Sequence, residues 1–130
     1  MKKLIFLITV FSLILIHIGG CTTLPASDNI SLNEPLYIDT FLKHISKFSI
    51  NQSVTLKGKY MGWKGSCKSA PPETRSDWML EYNEACIYVS GPVPDGIDRK
   101  PGSTDEGKEV QIKGEVKFTA DGKPYVKIAK

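Results

Sequence analysis

Two stretches of the chain alternate apolar and polar residues, and each carries a glycine in its apolar register. The first sets Val54, Leu56, Gly58 and Tyr60 against Thr55, Lys57, Lys59 and Met61. The second sets Val110, Ile112, Gly114, Val116 and Phe118 against Gln111, Lys113, Glu115 and Lys117. A period of two belongs to a strand with one buried face, and a glycine in its middle predicts a bulge or sharp bend. Between them, Trp78 to Tyr82 and Cys86 to Val89 flank Asn83-Glu84-Ala85 and read as a hairpin. After the second stretch, Asp121-Gly122 reads as a two-residue turn that returns the chain as Tyr125 to Ala129.

The segments between these strands are equally informative. Residues 64 to 75 form a polar loop broken by Pro71 and Pro72, and residues 91 to 108 hold three prolines and four glycines, which excludes a helix there. Upstream, Leu36, Ile38, Phe41, Leu42, Ile45 and Phe48 recur at spacings of three and four. That spacing predicts one amphipathic helix over 35–48, with Asn33 or Glu34 as its cap and Lys43, His44 and Lys47 facing water. The expected order is helix, three strands, long crossover, two strands. A mainly β chain of five short strands, bent in the first and fourth, matches a small closed barrel with the OB-fold arrangement. The usual helix between strands three and four is replaced by the glycine- and proline-rich crossover, so the N-terminal helix is expected to plug the barrel bottom instead. An SH3-like barrel or an open sandwich shares this periodicity.

The first residues specify an address. Lys2 and Lys3 precede an uncharged apolar run from Leu4 to Ile18, which ends in Gly19-Gly20-Cys21. As a helix the run would span about 22 Å, short of the roughly 30 Å hydrocarbon core of a bilayer, so a cleaved secretory signal over residues 1–20 is the better reading. Removing its lysines lowers the basic count from 17 to 15 against 14 acids, leaving a net charge of about +1. That balance argues against a protein that coats nucleic acid. Ile18-Gly19-Gly20-Cys21 resembles the lipobox of bacterial lipoproteins. The resemblance implies that Cys21 becomes the first mature residue and carries the lipid, residues 21–34 forming a lipidated tether and residues 35–130 the domain. Several acyl chains, palmitate among them, would give stable anchoring. With Thr22 and not aspartate following, the outer membrane is the expected destination if the source has two membranes.

In such a compartment Cys67 and Cys86 form one even pair and are expected to be bridged. No CxxC or HxxxH spacing supports a metal site, and no cofactor is expected. The runs Gly58-Lys59-Tyr60, Gly62-Trp63-x-Gly65-x-Cys67, Pro71-Pro72-x-Thr74-Arg75-Ser76-Asp77-Trp78 and Cys86-Ile87-Tyr88-Val89-x-Gly91, with Gly107 to Gly114, resemble small OB-fold-type modules of prokaryotic secreted and lipoprotein sequences. The resemblance spans residues 50–130 and implies fold and envelope location, with no catalytic activity attached.

Function is less legible. Arg75-Ser76-Asp77 lacks a histidine in a recognisable context, and Arg75 and Asp77 suit a pair on an extended chain. Asp95, Asp98, Asp105 and Glu106 lack the spacing of a calcium loop. Lys113, Lys117, Lys123, Lys127 and Lys130 make one basic face, which also suits charged edge strands. Trp78 is read as core, whereas Trp63 is open to either an inward or a groove position. In an OB barrel the 64–75 loop, the outer face of the third strand and the Asp121-Gly122 turn lie on one side, so Trp63, Arg75 and Tyr88 are expected to converge as a ligand site. The leading expectation is a non-enzymatic, lipid-anchored envelope module that binds a peptide, a glycan or an envelope protein. The alternatives are an extracytoplasmic nucleic-acid-binding module and a small hydrolase.

Overall fold

A computed structural model describes residues 30–129. The signal segment, Cys21 and most of the tether lie outside the described residues, as does Lys130. The described residues run β1 (Leu36–Tyr37), α1 (Ile38–Lys43), a 3-10 turn (Ile45–Lys47), β2 (Ser53–Gly62), β3 (Trp78–Tyr82), β4 (Ala85–Ser90), β5 (Glu109–Phe118) and β6 (Pro124–Lys127). The sheet order β1-β2-β3-β4-β6-β5 closes through pairing of β2 with β5. Strands β2 to β6 thus make a closed five-stranded barrel, mixed because β4 and β6 run parallel. This is the expected OB-like barrel.

The two glycine-bearing strands are its longest, and each alternates buried and exposed residues for most of its length. Neither glycine sits at a bulge: Gly58 pairs with Val110 and Gly114 with Val54 in unbroken register. The irregularity falls between Tyr60 and Gly62, where β2 turns from β5 toward β3. The mid-strand glycines instead answer to crowding inside a narrow barrel. A Cβ on Gly58 would lie 2.9 Å from the Glu81 carbonyl and Leu80, and one on Gly114 would lie 2.6 Å from Val126. Their neighbours fill the interior: Leu56, Tyr60, Trp78, Leu80, Val89, Val116 and Val126 are all essentially buried. Trp78 is core, its ring 5.3 Å from that of Tyr60.

The N-terminal helix is shorter than its apolar spacing predicts. Leu36 and Tyr37 are extended, pairing in parallel with Leu56 and Lys57. The reason is an open edge: β3 reaches β2 only over Lys59–Gly62, and β1 satisfies the ladder below it. The helix cap is Tyr37, with no side-chain hydrogen bond, in place of Asn33 or Glu34. The one-turn-and-a-half helix nonetheless buries Ile38 and Phe41, and Phe41 packs edge-on against Phe48 at 4.8 Å. Asn83 Nδ2 donates to Asp39 Oδ2 at 2.9 Å, tying the helix to the β3–β4 turn. That turn has two residues, Asn83 and Glu84, both at positive φ, as a tight hairpin requires. His44 is half-buried, its Nδ1 donating to the Thr40 carbonyl at 3.0 Å. The β5–β6 connection spans Thr119 to Lys123, longer than the two-residue turn read from Asp121-Gly122.

Candidate functional site

Alternation fails on the paired strands β3 and β4, and that failure locates the candidate site. In β4 the residues from Ile87 to Ser90 are all buried, although Tyr88 and Ser90 point out of the barrel. Met79, directly opposite Tyr88 on β3, is 7% exposed, as is Tyr88, and Ser90 is 5% exposed. They are covered by the loop of residues 63–77, which leaves the end of β2, crosses the outer face of β3, β4 and β6, and returns to Trp78. We call it the strap.

Four attachments hold the strap down. Cys67 is bridged to Cys86, their Cα atoms 5.2 Å apart. The backbone N–H of Ser66 donates to the Glu81 carboxylate, and the Tyr88 hydroxyl donates to the Ser69 carbonyl at 2.9 Å. Glu73 supplies the fourth: its Oε1 accepts from Tyr125 at 2.8 Å and from Lys127 at 2.9 Å, and its Oε2 accepts from Ser90 at 3.0 Å. Hydrogen bonds from Lys127 and Tyr125 hold the Glu73 carboxyl below the ordinary glutamate range. Burial, together with the same carboxylate, pushes the Tyr125 phenol up to about 12. A disulfide of this kind belongs with an oxidising compartment outside the cytoplasm. Among the described residues no helix is long and apolar enough to cross a membrane.

The strap's own turn is built on Asp77, which is 1% exposed. Its carboxylate accepts from the N–H groups of Glu73 and Thr74 and from the Thr74 hydroxyl, at 2.7 to 3.0 Å. The side-chain pair expected between Arg75 and Asp77 is therefore not made: the buried carboxylate is saturated by the strap backbone, and Arg75 is exposed at the turn's tip.

Where the strap meets the β5–β6 turn, a cleft of about 200 Å³ opens. Ser69 to Pro72, Tyr88, Thr119, Asp121 and Lys123 to Tyr125 line it. Half of its lining residues are tyrosine or proline, and both tyrosine hydroxyls are already committed, to Ser69 and to Glu73. Of the residues singled out from sequence, Tyr88 lines this cleft, while Trp63 and Arg75 do not. Trp63 is 41% exposed just beyond β2, at the start of the strap and ahead of its cleft-lining residues.

A larger cavity of about 580 Å³ lies at the barrel end where β3 begins and β4 ends, lined by Thr74, Ser76, Gly91, Pro92 and Arg99. The crossover covers this end, and three of its acids are engaged: Asp98 accepts from the Lys100 N–H. Asp105 accepts from the Asp98 N–H and faces Lys108 at 3.4 Å; Glu106 accepts from the Gly102 N–H and faces Lys64 at 3.5 Å. Among the described residues no group of three histidine, cysteine or acidic side chains is disposed to hold a metal. The basic face is largely neutralised, with Lys117 against Glu115, Lys123 against Asp121 and Lys127 against Glu73, each within 3.0 Å. Comparison with family models, with curated proteins and with solved structures finds no match to this chain.

Proposed function

We propose that the chain is a non-enzymatic binding module of the cell envelope, anchored through lipid on Cys21, with its ligand seated in the cleft between the strap and the β5–β6 turn. The observation that carries this reading is the pre-ordering of the cleft. The half-buried Tyr125 ring is fixed by its hydroxyl bond to Glu73, Tyr88 backs the cleft from beneath the strap, and Pro71, Pro72 and Pro124 add rigid apolar wall. Fixed flat surfaces bind a sugar ring or an extended peptide at low entropic cost. The disulfide and the lipobox-like start support a location outside the cytoplasm.

The nucleic-acid reading is supported less well. Stacking platforms need exposed aromatic faces, whereas Tyr60 and Trp78 fill the core, Tyr88 lies under the strap, and Tyr37 stacks on Tyr82 at 4.1 Å. Titration of soluble envelope glycan and peptide fragments against the full chain, followed by NMR, tests the proposal. Shifts confined to Tyr88, Thr119, Tyr125 and their neighbours, with affinity indifferent to salt, support it. A steep loss of affinity with salt would assign a polyanion instead, and turnover of the fragments would assign an enzyme.

A further inference from the structure

The chain contains only two arginines, Arg75 and Arg99, against 15 lysines. Folding brings both to the same end of the barrel, although 24 positions separate them. Arg99 lines the 580 Å³ cavity, and Arg75 occupies the tip of the turn whose flanking residues, Thr74 and Ser76, line it as well. That turn is rigid, closed by the Asp77 N–H donating to the Thr74 carbonyl at 3.1 Å and by the saturated Asp77 carboxylate. Among the described residues neither arginine forms an ion pair, while the acids around Arg99 are spoken for by lysines and backbone N–H groups. Ser76 Oγ likewise makes no hydrogen bond among them, whereas the Thr74 hydroxyl is spent on Asp77.

We propose that this cavity is a second binding site, which takes a carboxylate group through the Arg99 guanidinium, with Arg75 and the Ser76 hydroxyl at its rim. Guanidinium is the side chain whose planar fork matches a carboxylate bidentately, and it is weakly hydrated enough to be left unpaired at a cavity wall. The choice of a carboxylate over a phosphate or polyanion follows from the local charge. Asp98 precedes Arg99 in the chain and its N–H is bonded by Asp105, and Arg99, Asp98, Asp105 and Glu106 all act electrostatically on Tyr60, so the field around Arg99 is mixed. A mixed field favours a planar monoanion read by geometry and disfavours a multiply charged group read by charge. The cavity holds more than a carboxylate alone, so the group is the terminus of a larger ligand, such as a peptide C-terminus or an acidic sugar. This inference does not depend on the tyrosine–proline cleft, which lies elsewhere on the strap.

The test uses the full chain, isotopically labelled and held in detergent micelles, titrated separately with N-acetyl-alanyl-alanine, its C-terminal amide, glucuronate and inorganic phosphate. The free-acid peptide, glucuronate or both should shift the resonances of Thr74, Ser76, Gly91 and Arg99 saturably, and the peptide amide should not. Arg99→Gln should weaken that binding by about tenfold or more, and Arg99→Lys should fail to restore it, because the fork and not the charge is read. Both variants change an exposed crossover residue, and their unperturbed spectra away from the cavity will report an intact fold. Phosphate binding as tight as the carboxylates, or full rescue by lysine, would overturn the carboxylate assignment. No saturable shift at the cavity with any probe would overturn the site itself. Since the cleft residues are read in the same spectra, failure here is distinguishable from failure there.

Discussion

Glu73 shows how one side chain sets the behaviour of a surface. It stands on the strap, yet its acceptors are filled from β4 and β6, by Ser90, Tyr125 and Lys127. Its lowered pKa fixes the sign of a pH effect. A carboxyl held below its ordinary value of 4.5 contributes stability above that value, and the contribution is lost as pH falls through the lowered one. Glu73→Gln should therefore melt below the wild type at neutral pH, and the gap should close on acidification below about pH 4.5. A gap that stays constant or widens in acid would show that the carboxylate is not the clamp. The glycines make a second residue-scale prediction. Gly114→Ala places a Cβ 2.8 Å from the Lys127 carbonyl as well as against Val126, and backbone cannot yield as a side-chain tip can. A loss of about 1–3 kcal/mol in urea denaturation is expected. From sequence these glycines were legible as special positions in strands, but bend and crowding both call for glycine. Only the cross-barrel neighbours, far away in sequence, separate the two.

At the scale of elements, the strap is the feature that most changes what the barrel can do. In an OB arrangement the outer face of the second and third barrel strands, here β3 and β4, is the usual binding surface, and in this chain the strap covers it. The disulfide closes a loop with a sequence separation of 19, which corresponds to about 3 kcal/mol in the chain-entropy model. Reduction should lower the melting temperature by roughly 10–20 °C, and it should also uncover Met79. Peroxide oxidation of Met79, read by peptide mass spectrometry, is expected to be slow in the oxidised protein and to accelerate on reduction. Equal rates in the two states would mean that the bridge does not hold the strap. The strands, their order and the cysteine pairing were legible because each has a local signal in period or count. The covering of β4 was not, since Tyr88 and Ser90 alternate with Ile87 and Val89 just as an exposed face would. The helix was over-read for the same reason: apolar spacing records burial, and Leu36 is partly buried as a strand against Leu56.

For the whole molecule, the barrel is closed at one end by α1 and Phe48 and covered at the other by the crossover. The face on which OB barrels commonly bind is covered by the strap, so the proposed site lies at the strap's margin. The anchor is tested separately from the site: Cys21→Ser should leave an unlipidated precursor that retains residues 1–20, and an unchanged mass would refute lipidation. The central claim is that the folded domain engages a ligand at the cleft. A photo-activatable amino acid placed at Lys123, on the cleft rim, should form a covalent adduct with a glycan or peptide in intact cells. The same probe at Lys59, exposed on β2, should not, and Tyr125→Ala should abolish the adduct at position 123. Equal labelling at both positions, or an adduct indifferent to Tyr125→Ala, would contradict the claim.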